Sequence, residues 1–524
     1  MSSFESFTDT IAAHAADRPD ATAFVEGAHT IDWKTFHTRV TAIGRALAAG
    51  GVRPGDRVAI LGHPGLPYAQ CLFGAIAARA CVVPLPVSAS PDTWAAMLAD
   101  CDARTIFLDP DAGPAADATI DAFATAHGVP VVRFGAAGSE GDEFTAWRRR
   151  GEADAAAAAL LPAAEPDDAF NIIYSSGTTG MPKGIVHRHG MRAQQAARNG
   201  FGFGPDSRTL LSTPMYSNTT ITPLIGSLAH GGTTVLMRKF DTAGYLAIAT
   251  ALRATHTMLV PVQYQRLLAH ADFAHADLSG FALSQCTGAP LAPAVKRDIL
   301  TRWPGRFVEV YGMTEGGVSF FLDARAHPDK LATVGRPGHG TEAFLLDADG
   351  RRVPPEAQAG AVGEVVGRSP FMMAGYHRRP DADAQIRWHD AEGRRYHRTG
   401  DIGRFDADGF LTLLDRSKDV VISGGHNIYP ADLEAVLARH PDVAEAAVIG
   451  VPSADWGETP LALVVARPAA TLDAAALRDW VNAQVGRLQR ISAVELRDRL
   501  PRTALGKLSK KELRAPYWPV PAAG

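Results

Sequence analysis

The stretch Tyr174-Ser175-Ser176-Gly177-Thr178-Thr179-Gly180-Met181-Pro182-Lys183-Gly184 is the most informative part of this sequence. The apolar run before it, residues 169–174, predicts a buried strand that leads directly into the stretch. Four hydroxyl side chains, three glycines and one lysine follow Tyr174 within ten residues. Glycines let the backbone turn its N–H groups toward a ligand, hydroxyls add donors, and a lysine adds a point charge. This combination predicts a loop that holds nucleotide phosphates.

The loop differs from the Walker loop, whose pattern is G-x-x-x-x-G-K-[ST]. Pro182 stands where that pattern has its second glycine, and Gly184 stands where it has Ser or Thr. A short apolar run, residues 185–187, follows, so we expect no helix to begin at Lys183. The sequence therefore predicts a phosphate loop of another architecture, and the alternative is an ordinary surface turn.

Length and composition predict a large body with one or more smaller domains. At 524 residues the chain is too long for a single core. A hydrophobic fraction of 46% and a charged fraction of 21% are ordinary for a globular protein. The net charge of −4 argues against nucleic acid or an anionic membrane as a partner. Because the sequence shows no basic leader and no apolar run of membrane-span length, we expect a cytoplasmic protein.

The cysteines and two histidines predict neither a metal site nor a disulfide. The four cysteines lack the paired spacing of metal ligands, so we expect reduced and mostly buried thiols at Cys71, Cys81, Cys101 and Cys286. His187 and His189 have no carboxylate or cysteine at ligand spacing, which indicates structural roles. A G-x-S-x-G pattern is absent from the sequence, which argues against an esterase.

Short apolar strands alternate with helical stretches over most of the chain, which predicts a doubly wound α/β arrangement. The expected strands are residues 58–61, 82–85, 105–108, 209–213 and 258–260. The expected helices are residues 4–16, 35–49, 68–78, 94–100, 189–199 and 245–254, and another begins at Pro261.

The pattern of apolar residues changes twice toward the C-terminus. Asp-Gly pairs between apolar runs, at residues 345–350 and 404–410, predict hairpins in a β-rich subdomain. From about Arg416 we expect a small α+β unit, with helices at residues 432–439 and 473–485 and strands at 443–451 and 461–466.

The stretch Tyr311-Gly312-Met313-Thr314-Glu315 follows an apolar run, residues 307–310, and so is expected at a strand end. Ligands bind at the carboxyl ends of strands in such sheets. An aromatic ring can stack on a base, Thr314 can donate to a phosphate, and Glu315 is a hard oxygen ligand suited to Mg²⁺. The alternative is a capped helix start.

Three more charged stretches lie in turn-rich surroundings, and each could also have a purely structural role. Residues 399–401 (TGD) offer a carboxylate for ribose hydroxyls, or simple turn chemistry. Residues 415–419 (DRSKD) precede an apolar run that ends in SGGH. The alternative is that they are only a solvated run of charges that ends at a strand. Residues 501–507 (PRTALGK) end on a lysine, or form a basic tail segment.

In this order, these stretches resemble the adenylate-forming (AMP-binding) superfamily, which includes acyl- and aryl-CoA synthetases, firefly luciferase and the adenylation domains of peptide synthetases. The matching pieces are YSSGTTGMPKG, TGAP at residues 287–290, YGMTE, TGD, DRSKD with SGGHNIYP, and PRTALGK. The resemblance spans the chain from its first helix to residue 513. It implies an N-terminal domain, residues 1–415, of two doubly wound α/β subdomains and a β-barrel-like subdomain. It also implies a small, mobile α+β C-terminal domain, residues 416–524, with a hinge near Lys418.

The resemblance also implies roles for single residues. The β- and γ-phosphates would be held by Ser175, Ser176, Gly177, Thr178, Thr179, Gly180 and Lys183. The adenine would be lined by Gly288, Ala289, Pro290 and Tyr311, and the ribose hydroxyls would be bound by Asp401 and Arg416. Gly312 would also belong to the ATP-binding residues. Thr314 would meet the α-phosphate, Glu315 the Mg²⁺ that accompanies ATP, and Lys507 both the substrate carboxylate and the α-phosphate. Gly424 and Gly425 would edge the pantetheine tunnel of CoA.

The expected acyl pocket contains Tyr216, Ser217, Val262, Gly316 and Val318, within the ranges 216–221, 262–266 and 316–321. Many acyl-CoA synthetases have histidine where this chain has Ser217, and peptide-synthetase domains for α-amino acids use an aspartate nearby that this chain lacks. Arg266 is the one charged residue in these ranges. An apolar pocket favours a neutral tail because an unpaired charge carries a heavy desolvation cost. We therefore expect medium-chain aliphatic or small aromatic monocarboxylic acids.

The sequence thus predicts an ATP-dependent carboxylic acid:CoA ligase. A carboxylate must attack a phosphate of the same charge, and Mg²⁺ and two lysines would offset that repulsion. One alternative is a stand-alone adenylation enzyme that loads a separate carrier protein. Another is a catalytically silent acyl- or nucleotide-binding protein. The expected partners are a small carboxylic acid, ATP and CoA, and a homodimer is left open.

Overall fold

The structure is a computed structural model that describes residues 4–135, 137–138, 142–153, 161–175, 182–416, 418–423, 426–468, 470–503 and 507–518. The chain divides into two compact units. The first unit comprises Met1–Leu331 and Arg368–Arg387, and the second unit comprises Ala332–Gly367 and Trp388–Gly524. The predicted domain boundary between residues 415 and 416 falls inside the second unit, and the prediction of a mobile C-terminal domain is not tested by this division.

The first unit alternates strands and helices, as the sequence predicts. Its helices are α1 (Phe7–Asp17), α2 (Trp33–Ala49), α3 (Leu66–Ala77), α4 (Pro91–Cys101), α5 (Pro114–His127), α6 (Asp142–Ala153), α7 (His189–Ala197), α8 (Asn218–Ala229), α9 (Thr242–Ala251), α10 (Pro261–Ala269), α11 (Pro293–Arg302) and α12 (Pro380–Ile386). Its strands are β1 (Thr22–Glu26), β2 (His29–Asp32), β3 (Arg57–Leu61), β4 (Cys81–Leu85), β5 (Ala103–Leu108), β6 (Val131–Arg133), β7 (Ala169–Ser175), β8 (Lys183–Arg188), β9 (Arg208–Leu211), β10 (Thr233–Leu236), β11 (His256–Leu259), β12 (Leu283–Thr287), β13 (Arg306–Gly312), β14 (Ser319–Asp323) and, later in the chain, Gly375–Tyr376.

Several helices begin two or three residues from their predicted starts because a polar side chain caps them. Ser6 accepts a hydrogen bond from the Asp9 N–H, and the Asp9 carboxylate accepts one from the Ser6 N–H, so α1 begins at Phe7 rather than Phe4. Asp32 accepts from the Thr35 N–H at 2.6 Å and starts α2 at Trp33. Asp241 does the same for α9.

Two sheets lie at the centre of the first unit. One has the strand order β14-β13-β12-β11-β9-β10-β1-β2, and its pairs from β13 to β1 are parallel. The other has the order β8-β7-β4-β3-β5-β6, and the short strand Gly375–Tyr376 pairs with the outer side of β8. All twelve residues of α3 are buried, which shows how closely helices cover the sheets. The predicted doubly wound α/β arrangement is confirmed.

The second unit contains the β-rich part and the small α+β part that are expected from the sequence. The Gly375–Tyr376 strand of the first unit is β18 in chain order. The strands of the second unit are β15 (Arg336–Pro337), β16 (Glu342–Leu346), β17 (Val362–Arg368), β19 (Arg387–His389), β20 (Arg395–Phe405), β21 (Leu411–Arg416), β22 (Val421–Ser423), β23 (His426–Ile428), β24 (Val443–Ser453), β25 (Gly457–Ala466) and β26 (Ala493–Leu496). Its helices are α13 (Pro430–Leu437), α14 (Ala474–Asn482) and α15 (Lys510–Arg514).

Both predicted Asp-Gly turns are present, and an aspartate organises each of them. Asp347 accepts hydrogen bonds from the N–H groups of Asp349 and Arg351, each at 2.9 Å. Asp406 accepts from Asp408 and Phe410 in the same way and joins β20 to β21. Farther along, β24 and β25 form a long antiparallel pair over a small core with α13 and α14. The predicted α+β texture is confirmed.

Two kinds of feature are absent from the residues that the structure describes. No helix among them is both long and apolar enough to cross a membrane. No group of three or more His, Cys, Asp and Glu side chains in the described part of the chain is arranged to hold a metal ion. All four cysteines are buried, as predicted.

Candidate active site

The carboxyl ends of four neighbouring parallel strands bring most of the predicted first-unit residues to one sheet edge. Strands β9, β11, β12 and β13 are adjacent and parallel, so their C-terminal ends lie together. The segments that follow them include Tyr216 and Ser217, Val262, the 288–290 turn, and the turn at Thr314 and Glu315. Stretches separated by about a hundred residues therefore share one edge because the strand order places them there.

The predicted phosphate loop joins two antiparallel strands. Ser175 and Lys183 are register partners at the end of the β7–β8 pair, so they form the base of a hairpin. Strand β8 begins at Lys183, which confirms that no helix begins there. Residues Ser176, Gly177, Thr178, Thr179 and Gly180 lie outside the described residues, and their predicted roles are not tested.

Tyr376 connects two predicted site residues, Lys183 and Glu315. Its hydroxyl donates a hydrogen bond to Glu315 Oε1 at 2.8 Å. The Lys183 ammonium lies 5.2 Å from the centroid of the same ring, a cation–π contact. Burial, with the adjacent Glu315 carboxylate, raises the pKa of Tyr376 well above its ordinary value, so its hydroxyl stays a donor at neutral pH. Sequence reasoning missed Tyr376 entirely.

The segment that carries Tyr376 also shapes the backbone of the Glu315 turn. The Met373 N–H donates to the Glu315 carbonyl at 2.9 Å, and the Ser369 hydroxyl donates to the Gly316 carbonyl. Gly316 has a φ of +73°, and a Cβ there would lie 1.7 Å from the Phe371 carbonyl oxygen. A residue with a side chain at position 316 would therefore displace this segment and the turn above it.

Glu315 fits the predicted Mg²⁺ as a single protein ligand. Mg²⁺ is commonly bound by one or two carboxylates together with substrate phosphates, which suits a site with one half-buried carboxylate. Tyr376 occupies one carboxylate oxygen, and among the described residues no other hydrogen bond to that carboxylate is present. When bound with ATP, the ion would neutralise phosphate charge.

His187 supports the same turn from beneath. Its Nε2 lies 2.7 Å from the Thr314 carbonyl oxygen, and its Nδ1 lies 3.1 Å from an Arg192 nitrogen. A carbonyl only accepts, so Nε2 carries the proton and Nδ1 is the acceptor. Burial and the neighbouring Arg192 hold the pKa of His187 well below its ordinary value, which keeps the ring neutral.

The predicted adenine segments rest on a buried ion pair. Lys296 and Glu309 are in direct contact, and Glu309 also accepts from the Leu291 N–H at 3.2 Å. The Thr287 hydroxyl donates to the Val310 carbonyl at 2.8 Å, which ties the end of β12 to β13. These contacts fix the loop of Gly288, Ala289 and Pro290 beside Tyr311 and Gly312 at the end of β13.

The predicted acyl residues lie at the starts of two helices and beside β14. Ser217 is buried and caps α8 by accepting from the Thr219 N–H at 3.2 Å, so it has a structural role as well. Val262 lies in the first turn of α10, and Val318 is 1% exposed before β14. Arg266 is exposed on α10. Tyr264 packs on Trp303 and Phe307 in the core.

In the second unit, Asp401 and Arg416 form a cross-strand ion pair. They are register partners of β20 and β21, and Arg416 Nε lies 2.8 Å from Asp401 Oδ1. The aspartate is mostly buried, whereas the arginine is half exposed. The pair predicted to bind the ribose hydroxyls is thus preformed.

The segment of the predicted hinge, Lys418, is bonded to the short helix α15, which follows the predicted catalytic lysine in the chain. Lys418 lies in the turn after β21, and its carbonyl accepts from Arg514 at 2.8 Å. Lys510 Nζ lies 3.0 Å from both Asp415 and Glu434. Lys507, just before α15, is exposed. The short helix after Lys507 is therefore bonded to the hinge segment. Gly424 and Gly425 lie outside the described residues.

Family comparison decides the class to which this geometry belongs. Residues 11–377 match the AMP-binding enzyme family, and residues 432–507 match the AMP-binding enzyme C-terminal domain. The chain belongs to the AMP-binding enzyme family. Among relatives of this AMP-binding enzyme, a feruloyl-CoA synthase from an Amycolatopsis species is 33% identical over 95% of this chain and 96% of its own length.

Two further comparisons extend over nearly the whole AMP-binding enzyme. The fatty acid–[acyl-carrier-protein] ligase ScoC of Streptomyces coeruleorubidus is 30% identical over 98% of this chain and 97% of its own length. The crystal structure of ATP-bound MatB from Rhodopseudomonas palustris has a TM-score of 0.86 at 28% identity, over 97% of this chain and 98% of that chain. The resemblance to the adenylate-forming superfamily and the predicted class, an AMP-forming acid–thiol ligase, are confirmed.

Proposed function

We propose that this enzyme is an ATP-dependent ligase that joins a neutral monocarboxylic acid to CoA. The acid carboxylate attacks the ATP α-phosphorus, which forms an acyl-adenylate and releases pyrophosphate. The thiol of CoA then attacks the acyl carbon, which forms a thioester and releases AMP. The contact of Tyr376 with both Lys183 and Glu315 supports the first step, because one side chain brings a cation and a Mg²⁺-type ligand together.

Each part of the nucleotide has a proposed set of contacting residues. Lys183, with the loop it closes, would hold the β- and γ-phosphates, and Glu315 would hold Mg²⁺. Thr314 would contact the α-phosphate. The Asp401–Arg416 pair would bind the ribose hydroxyls, and Lys507 would bridge the substrate carboxylate and the α-phosphate. The ordered partners of Glu315 and Thr314 support this assignment because a reacting phosphate requires fixed donors.

A groove on the second unit supports the proposal that CoA is the acceptor. It has a volume of about 710 Å³ and contains three arginines, Arg478, Arg487 and Arg490, together with Trp456. Trp456 is 48% exposed, so one face of its indole is available to stack on a base. Arg478 pairs with Asp479 at 2.7 Å. Among the described residues, Arg487 and Arg490 have no ion-pair partner, which suits the phosphates of a nucleotide-bearing thiol.

The acceptor test varies the nucleotide part of the thiol. Acyl transfer would be measured with CoA, dephospho-CoA, pantetheine and a holo-carrier protein. We expect the Arg487→Gln/Arg490→Gln variant to raise the KM for CoA about tenfold, through loss of two charge-assisted contacts, with the KM for pantetheine unchanged. Arg439→Gln is the matched control, because Arg439 is an exposed arginine of the same unit bonded to Gln484. Faster transfer to the holo-carrier protein than to CoA would instead establish carrier loading.

The acid test measures pyrophosphate release across a panel of acids. Hexanoate, octanoate and benzoate are expected to exceed malonate and phenylalanine in kcat/KM, because the predicted acyl positions offer apolar side chains and Arg266 points to solvent. A higher kcat/KM for malonate or phenylalanine than for every neutral acid would refute the neutral-tail assignment. No pyrophosphate release with any acid would refute the adenylation step itself.

A further inference from the structure

Arg192 is a fully buried cation between three predicted parts of the active site. It lies on α7, is 0% exposed, and has no acidic partner among the described residues. Burial lowers its pKa to about 9, so the guanidinium keeps its charge at neutral pH. Placing a charge without an acidic partner in the interior costs free energy, so the neutral groups around it must compensate through hydrogen bonds.

Every N–H of this guanidinium has a neutral acceptor. The Nε and one Nη2 hydrogen donate to Asn171 Oδ1 at 3.2 and 3.1 Å, and the other Nη2 hydrogen donates to His187 Nδ1 at 3.1 Å. The Nη1 hydrogens donate to Gln195 at 2.9 Å and to Asn218 at 2.8 Å. All five donors are therefore used, and the group has none left for a ligand.

These partners connect distant segments of the chain. Asn171 and His187 belong to β7 and β8, the strands of the phosphate-loop hairpin, and Asn218 begins α8, directly after Ser217. His187 continues the chain of hydrogen bonds to the Thr314 carbonyl. Nδ1 of His187 also lies 3.1 Å from the Asn171 amide nitrogen. Because Arg192 and that amide nitrogen can only donate, together they keep Nδ1 as the acceptor and leave the single ring proton on Nε2, which donates to the Thr314 carbonyl.

We propose that Arg192 is a positioning residue for adenylate formation, which acts on the Thr314–Glu315 turn through His187. The inference rests on the proposed assignment of Thr314 to the α-phosphate. Arg192 orients the imidazole directly and also through Asn171, which it contacts at Oδ1, and the imidazole fixes the carbonyl of Thr314. An ordinary structural arginine would stabilise the fold without acting specifically through the His187 ring.

A double-mutant cycle distinguishes these two roles. In His187→Gln, the side-chain amide keeps a donor for the Thr314 carbonyl but has no ring tautomer to be set. We expect this variant to keep the kcat for pyrophosphate release within about threefold of the parent, and Arg192→Met to lower it at least about tenfold, with little change in the KM for ATP. In the His187→Gln background, Arg192→Met should lower kcat by less than about threefold.

Arg325→Met is the matched control. The Arg325 guanidinium also donates to neutral acceptors, the carbonyls of Trp303 and Gly305, at the opposite end of β13. Arg325→Met should have the same kcat as the parent, even if it lowers the thermal unfolding midpoint as much as Arg192→Met does. An equal fall of kcat on Arg192→Met in both backgrounds, or no fall in either, would overturn the proposal. Arg192→Gln repeats the cycle if Arg192→Met does not fold. Absence of pyrophosphate release by the parent enzyme would refute the proposed function instead.

Discussion

Tyr376→Phe should weaken the response of adenylation to Mg²⁺. The substitution removes one oxygen atom, whose only described side-chain contact is the 2.8 Å hydrogen bond to Glu315. The ring stays, and with it the cation–π contact of Lys183 at 5.2 Å and the packing of a side chain that is 8% exposed. The change therefore isolates the support given to one carboxylate.

The size of the effect follows from that hydrogen bond. A bond to a charged group contributes about 1.5–3 kcal/mol, which corresponds to roughly 10- to 150-fold in an equilibrium constant. Loss of a group that orients a metal ligand commonly lowers metal affinity about 10- to 100-fold. We therefore expect the Mg²⁺ concentration for half-maximal activity to rise at least about tenfold.

Acid-dependent exchange of pyrophosphate into ATP, measured over a range of Mg²⁺ concentrations, checks this expectation. The control is Tyr396→Phe in the second unit, whose hydroxyl also donates to a glutamate oxygen, Glu342 Oε2, at 2.8 Å. It should leave the Mg²⁺ dependence unchanged. If Tyr376→Phe showed the parent's Mg²⁺ dependence, Tyr376 would not support a metal ligand and the assignment of Glu315 would lose its main structural argument.

Three further predictions concern Lys507, Lys418 and His189. Lys507→Ala should abolish adenylate formation yet largely spare transfer from a supplied acyl-AMP to CoA, and equal loss in the two separate half-reaction assays would contradict a two-conformation cycle. Lys418→Pro should spare adenylation and abolish thioester formation, because proline fixes φ near −65°, and normal turnover with CoA by a folded variant would exclude Lys418 as the hinge. Burial lowers the pKa of His189 from 6.5 to about 4, so the unfolded chain takes up this proton first and stability falls as the pH drops from about 6.5 to 4. Between pH 7 and pH 5, His189→Leu should therefore lose about 2 kcal/mol less unfolding free energy than the parent in urea titrations, and identical losses would show that His189 does not titrate this way.

The sheet edge that carries the site could be predicted because it follows from local patterns. The apolar run at residues 307–310 ends where Tyr311 begins a polar stretch, and parallel α/β sheets bind ligands at such ends. The turns of Asp347 and Asp406 could also be predicted from the sequence, because their geometry depends on nearby residues in the chain. Helix starts were missed by two or three residues where a capping side chain lay outside the apolar pattern.

Tyr376 and Arg192 could not be found in this way because their roles depend on contacts between distant segments. Tyr376 reaches Glu315 only because its short strand pairs with β8, nearly two hundred residues earlier in the chain. Arg192 stands in a polar helical stretch, where a charged residue normally indicates a solvated face. Its complete burial is set by β7, β8 and α8 together, and no local signal in the sequence records that arrangement.

The burial of Arg192 bears directly on the choice of acid substrate. Arg266, the only charged residue in the predicted acyl ranges, is exposed, whereas Arg192 is buried and donates to Asn218, the residue after Ser217. A buried cation beside an acyl pocket would ordinarily favour a dicarboxylic acid. Here, a second carboxylate could bind Arg192 only by displacing Asn218 or another of its neutral partners, which would then be left unpaired.

The neutral-tail prediction therefore survives the presence of this charge, and it acquires a sharper test. If Arg192 serves only to position His187, Arg192→Met should lower the kcat/KM for octanoate and for malonate by the same factor, because both acids react at the same phosphate. If Arg192 instead binds a second carboxylate, the variant should lose malonate activity selectively. Measuring both acids on the parent and on this variant separates the two roles, and a selective loss of malonate activity would refute the neutral pocket.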